Sequence, residues 1–122
     1  MYKKTLEDYL EAIFVLSKEK KVVRIKDISG RLNVSMPTVN SAISSLKKMG
    51  YAKHEHYGYV ELTEKGRRRA KEIYKRHEFL FSFLHRILGM DEKRSETEAC
   101  LMEHILSKET IERLKKFIGN VT

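Results

Sequence analysis

A mainly α-helical chain with one small β-hairpin, ordered helix, helix, helix, hairpin and then three helices, is predicted by three observations. Apolar residues recur at helical spacing along most of the 122 residues. Between Tyr51 and Thr63 the period drops to two, on either side of Tyr57-Gly58. Residues that stop helices, Asn33-Val34-Ser35, Gly50 and Gly89, fall where the periodic stretches end.

The first helix is expected from about Thr5 to Lys18, with Leu6, Tyr9, Leu10, Ile13, Phe14 and Leu16 on its buried stripe and Asp8 and Glu11 flanking it. Val22-Val23-Arg24-Ile25 reads as a short extended or turn entry to a second helix, from about Lys26 to Leu32, buried through Ile25, Ile28 and Leu32. Ser35 is a good N-cap and Pro37 fits a first turn, so a third helix should run to about Met49. Its inward face would be Val39, Ile43, Leu46 and Met49. After the hairpin, Thr63-Glu64-Lys65-Gly66 opens a long helix to about Leu88 that carries Ala70, Ile73, Tyr74, Phe79, Leu80, Phe83, Leu84 and Ile87. Helices from about Asp91 to Leu106 and Glu109 to Ile118 complete the chain.

A short helix, a tight turn and a second helix followed directly by a hairpin is the layout of a winged helix-turn-helix. The polar residues Ser35, Thr38, Asn40 and Ser41 at the start of the third helix could approach base edges and phosphates, and Ser44, Ser45, Lys47 and Lys48 continue that face. Lys53, His54 and His56 suit a wing lying along a nucleic-acid backbone. The bland alternative is a three-helix core that serves as a protein contact.

Composition favours a polyanionic partner: the formal net charge is +8, with Lys65, Arg67, Arg68, Arg69, Lys71, Lys75 and Arg76 crowded into the fourth helix. Such a face is also often merely solvated. No apolar run approaches the roughly 20 residues needed to span a bilayer, and Asp8 and Glu11 interrupt the N-terminal apolar positions, which argues against a signal peptide and for a cytoplasmic protein. The single cysteine, Cys100, excludes an internal disulfide.

Glu98-Ala99-Cys100-Leu101-Met102-Glu103-His104 carries the chemistry. A thiol, a carboxylate and an imidazole at i, i+3 and i+4 share one helical face and can bind a transition metal. Packing of Cys100 beside a surface Glu103 is the competing reading. Asp8 and Glu11 form a second ligand-like pair, whereas His77, taken singly, reads as a surface or interface residue and His85 has no supporting neighbours.

Together, Thr5-Leu6-Glu7-Asp8-Tyr9-Leu10-Glu11-Ala12-Ile13, Ser35-Met36-Pro37-Thr38-Val39, Leu62-Thr63-Glu64-Lys65-Gly66, Arg76-His77-Glu78 and Glu98 through Ser107 resemble the DtxR/MntR family of metal-dependent transcriptional repressors. The resemblance covers nearly the whole chain, in order. It implies a winged-helix DNA-binding domain, 1–72, joined by the long helix to a helical metal-binding and dimerisation domain, 73–122. It also implies metal ligands at Asp8, Glu11, His77, Cys100, Glu103 and His104, and DNA contacts from Ser35, Met36, Pro37, Thr38, Asn40, Ser41 and Lys47. Asp8, Glu11 and His77 match manganese-type members, while Cys100 matches iron-type ones.

Two departures from iron-type members stand out. Phe81 occupies the position of an ancillary carboxylate and Glu96 that of a second ancillary histidine; the sequence also ends at Thr122, without the SH3-like domain of larger members. The resemblance therefore implies a short-form, homodimeric repressor of a double-stranded operator. Its corepressor would be Mn(II) or Fe(II), with Zn(II), Co(II) or Ni(II) able to bind in vitro, and no membrane or small organic ligand is expected. A winged-helix regulator sensing redox state through Cys100 is the alternative. An enzyme is disfavoured, because six ligands leave little room for an open metal position and no nucleophile or phosphate-loop motif is present.

Overall fold

The computed structural model describes residues 4–54 and 58–121; His56 and Tyr57, expected in the wing, lie outside the described residues. Its elements are α1 (Leu6–Glu19), β1 (Val23–Arg24), α2 (Ile25–Leu32), α3 (Met36–Lys48), β2 (Ala52–His54), β3 (Tyr59–Leu62), α4 (Glu64–Ser82), a π-helical turn (Phe83–Ile87), α5 (Glu92–Ile105) and α6 (Lys108–Val121). Two compact units result, Met1–Ile73 and Tyr74–Thr122, and the division falls within α4.

In the first unit, α1 begins with a capping box. The Thr5 hydroxyl accepts from the Asp8 N–H, and Asp8 Oδ2 accepts from the Thr5 N–H at 2.7 Å. At the start of α2, Asp27 accepts from the Arg24 N–H at 2.9 Å and from Lys20 Nζ at 2.9 Å. Those two donors hold its carboxyl below the usual carboxylate value, the Lys20 hydrogen bond most strongly. Asn33, at φ 55°, ends α2 in the left-handed region that Asn tolerates, and Ser35 then caps α3 by accepting from Thr38 N–H. Val39, Ile43 and Leu46 of α3 close over Ile13 and Ile28 as fully buried side chains. Met49 is half exposed, because α3 stops at Lys48 and Met49 becomes the C-cap rather than part of the inward face. Leu32 is only partly buried.

The sheet has three strands rather than two. β3 lies between its hairpin partner β2 (Ala52↔Leu62, Lys53↔Glu61, His54↔Val60) and β1 (Val23↔Val60, Arg24↔Tyr59), all antiparallel. Val23 and Val60, buried opposite one another, anchor that extra pairing.

The exit from the wing is tied to the end of α3. Thr63 N–H donates to Tyr51 O at 3.0 Å, Thr63 Oγ1 donates to Gly50 O at 2.6 Å, and Lys65 Nζ donates to Met49 O at 3.1 Å. Gly66 sits so close to Tyr51 that a Cβ there would lie 1.9 Å from the Tyr51 carbonyl oxygen. Thr63-Glu64-Lys65-Gly66 is thus both a helix start and a clasp on the preceding helix.

In the second unit, Leu80, Leu84 and Ala99 form a buried cluster with Phe79, Phe81, Phe83, Met90, Met102 and Leu106 against it. The α-helical pattern predicted to continue to Leu88 changes at Phe83, where Leu88 N–H bonds to Phe83 O, five residues back. The widened turn leaves Leu84 buried and Ile87 and Leu88 exposed. His85, read from sequence as unsupported, stacks on Phe81 and shares a 2.8 Å hydrogen bond with Met90 O. Among the described residues no helix is long and apolar enough to cross a membrane.

Candidate metal centre and nucleic-acid interface

α5 is an unusual helix to bury, because its inward stripe is not apolar. Ser95, Ala99 and Glu103, at i, i+4 and i+8, are each 0% exposed. The two small residues permit close packing, and Glu103 is carried inside on the same stripe. Asp91 caps the helix by accepting from Arg94 N–H at 2.8 Å, and an Arg94–Glu98 ion pair runs along its outer side.

Among the described residues, neither carboxylate oxygen of Glu103 has a hydrogen-bond donor. A carboxylate removed from water without partners costs several kcal/mol, so native proteins rarely keep one unless a cation completes it. Its neighbours in the same unit are metal-ligand types. Cys100 Sγ, a His104 ring nitrogen and a Glu103 oxygen lie within 4.8 Å of one another. His77 Nδ1 is 3.4 Å and His104 Nε2 3.6 Å from Glu103 Oε1. His77 and Glu103 are buried, and Cys100 and His104 partly so.

Glu96 refines this picture. His77 Nε2 lies 2.8 Å from Glu96 Oε1, and a carboxylate can only accept, so in the neutral ring Nε2 carries the proton and Nδ1 the lone pair. That lone pair then faces Glu103 Oε1 with no proton between them, an arrangement that repels unless a cation is shared. A carboxylate behind a ligating imidazole is the recurrent way proteins fix its tautomer. The sequence placed Glu96 only as a substitute for an ancillary ligand; its i−4, i−7 and i−8 relation to Cys100, Glu103 and His104 on α5 was the available signal. The fit is therefore good: two imidazoles, a thiol and a buried carboxylate suit a first-row divalent transition ion.

Asp8 and Glu11 lie on α1 of the first unit at i and i+3, sharing a face, with Asp8 buried and Glu11 partly buried. Asp8 already has a local task, since its Oδ2 closes the capping box, which the Thr5-x-x-Asp8 spacing could have disclosed. Burial, with the Asp8 charge in second place, pushes the Tyr9 hydroxyl up.

Every residue expected to meet DNA is exposed: Ser35, Met36, Pro37, Thr38, Asn40, Ser41 and Lys47 line the side of α3 opposite Val39, Ala42, Ile43 and Leu46. Lys53 on the wing and Lys65, Arg67, Arg68, Lys71 and Lys75 on α4 are exposed too. Arg69 is only partly exposed, its guanidinium pairing with Glu7 at 2.6 Å and with Glu72 at 3.4 Å, while the exposed Lys65 and Arg68 are engaged by Met49 O at 3.1 Å and Glu64 at 4.0 Å.

A winged helix with an exposed, polar helix α3 and, elsewhere in the chain, a convergent set of transition-metal donor types is the combination of features that a metal-responsive DNA-binding regulator requires. Comparison with known proteins agrees. Residues 1–60 match the iron dependent repressor N-terminal DNA binding domain, and residues 63–122 the iron dependent repressor metal binding and dimerisation domain. The chain belongs to the iron-dependent repressor, or DtxR/MntR, family of metal-dependent transcriptional repressors.

An uncharacterized HTH-type transcriptional regulator of Methanocaldococcus jannaschii is 39% identical over 93% of this chain and 92% of its own length. The regulator MntR of Bacillus subtilis is 37% identical over 90% of this chain and 77% of its own. Among solved structures, IdeR of T. acidophilum superposes with a TM-score of 0.86 at 31% identity, covering 98% of this chain and 56% of that one. A manganese-dependent transcriptional repressor in complex with manganese gives 0.85 at 31% identity, over 94% and 53%. The chain thus spans little more than half the length of these two solved regulators. Members of the family are regulators rather than enzymes, and redox sensing through Cys100 finds no support in these relatives.

Proposed function

We propose that this chain is a cytoplasmic, homodimeric repressor that binds a double-stranded operator when loaded with Mn(II) or Fe(II). The observation that carries this reading is Glu103, a fully buried carboxylate without a hydrogen-bond donor, set among Cys100, His77 and His104. The proposed ligands are Asp8, Glu11, His77, Cys100, Glu103 and His104, and the proposed division of labour is 1–72 for DNA and 73–122 for metal binding and dimerisation.

When bound, a divalent ion supplies the positive charge that the carboxylates lack. Glu103 contributes fixed negative charge, His77 presents Nδ1 with Glu96 holding the opposite ring proton, and Cys100 must release its proton before it can bind. Carboxylate donors favour Mn(II) and Fe(II), whereas the Cys100 thiolate raises affinity for Zn(II), Co(II) and Ni(II), so cellular availability selects among them. Donors drawn from α1 and from α4 and α5 make the freedom of the recognition helices depend on loading. Restriction then favours half-sites one helical turn apart, about 34–36 Å. The exposed Ile87, Leu88, Ile105 and Phe117 supply apolar surface for a second copy.

Operator binding measured in Mn(II), anaerobic Fe(II), Zn(II) and chelator tests this, repeated for Cys100→Ala and Asp8→Ala. Metal-dependent binding that weakens in both variants is expected. Equal binding under all conditions would remove the metal-sensing reading.

A further inference from the structure

We infer that Asn40 is the base-reading residue of the recognition helix and that it reads an adenine in each operator half-site. This rests on the DNA-binding reading above and adds to it the identity of the base.

Along the exposed side of α3, Asn40, Ser41 and Ser44 keep side chains without a hydrogen bond among the described residues, and of these three Asn40 alone carries an amide. The hydroxyls of Ser35 and Thr38 are 2.7 Å apart, and Ser35 Oγ also accepts from the Thr38 N–H, so both are engaged in the cap. Ser45 donates back to Ser41 O. Asn40 is exposed, one turn beyond the cap, and its amide makes no hydrogen bond among the described residues. It is flanked by exposed Met36 and Ser44 at i−4 and i+4.

A side-chain amide offers an acceptor and a donor about as far apart as the N6 amino group and N7 of adenine, and it pairs with them bidentately in the major groove. Guanine is read by a cation instead, through O6 and N7. From Ser35 to Leu46 the chain has no Lys or Arg, and the first cation, Lys47, lies twelve residues, about 18 Å, along the helix from the cap. The leading half of α3 therefore has an adenine reader and no guanine reader. Met36, 47% exposed, adds an apolar group suited to a thymine methyl.

Selection from a randomised duplex library by the Mn(II)-loaded full chain, compared with Asn40→Ala and Asn40→Arg, tests the assignment. The wild type should select adenine at one position per half-site. Asn40→Ala should flatten that column alone, reducing discrimination there by roughly 5- to 150-fold, and Asn40→Arg should move it toward guanine. Because Asn40 is exposed, all three proteins should fold alike by circular dichroism. If Asn40→Ala keeps the wild-type base preferences while binding specifically, the assignment to Asn40 is overturned and the DNA-binding reading stands. If the wild type enriches no sequence at all, both are overturned.

Discussion

Replacing Glu103 by Gln should move stability in opposite directions depending on whether metal is present. Glu103 is 0% exposed with both oxygens lacking donors, and ring nitrogens of His77 and His104 lie 3.4 and 3.6 Å from its Oε1. Gln keeps the volume, removes the negative charge and adds an N–H that the His77 lone pair can accept. An unsatisfied buried polar group costs about 1–3 kcal/mol, and more if charged, so in chelator the variant should be the more stable protein by about that amount. For a chain of this size that corresponds to a rise in Tm of roughly 4 °C per kcal/mol.

Metal reverses the order. A ligand at one thousand times its Kd stabilises the wild type by about 4.1 kcal/mol, and a variant lacking the central carboxylate should gain far less. The assay is thermal unfolding of both proteins, at matched concentration, in chelator and in saturating Mn(II). A variant less stable than wild type in chelator would show that the protein itself satisfies Glu103. An equal Mn(II)-induced shift in both would show that Glu103 is not a ligand.

Other expectations are smaller in scope. Glu96→Gln should weaken Mn(II) binding about 10- to 100-fold, as loss of outer partners does at other sites, and nitrogen NMR should show the His77 tautomer no longer fixed; unchanged affinity would make the 2.8 Å approach incidental. Gly66→Ala, which drives a Cβ against the Tyr51 carbonyl, should cost about 1–3 kcal/mol or more in urea unfolding. Gly30→Ala, in open space on α2, should be neutral or stabilising by about 0.5–1 kcal/mol. Because the carboxyl of Asp27 is depressed by Lys20 and the Arg24 N–H, its contribution is present above the usual value of 3.8 and lost as pH falls below it; the stability gap to Asp27→Asn should hold at neutral pH and close under acid. Lys47→Ala should make the salt slope of operator binding shallower by about 0.9, the amount expected for one phosphate no longer neutralised.

Much of the fold was legible because its elements announce themselves locally. Thr5, Ser35 and Asp91 cap helices and Gly50 and Gly89 end them, and each acts within a few residues of its own position. The misreadings share a physical origin. Met49 continues the apolar stripe of α3 yet is half exposed, because the turn at Gly50 ends the helix first. The π-helical turn at Phe83 leaves Leu84 buried and Ile87 and Leu88 exposed, a widening of the helix that periodicity does not encode. The β1 strand of two residues is too short to show alternation and exists only through its pairing with β3.

The candidate metal site divides in the same way. Sequence alone determined the donor types and that Cys100, Glu103 and His104 share a helical face, because helix geometry fixes residues three and four apart. It could not decide whether Glu103 was a solvated surface acid or a buried one, since an acidic helix with a weak apolar stripe reads as exposed. Only tertiary packing, through the small residues Ser95 and Ala99, takes that carboxylate out of water, sets His77 against it and places Glu96 behind the imidazole. Desolvation is a property of the whole surroundings of an atom, so it was settled by the folded structure and not by the order of residues along α5.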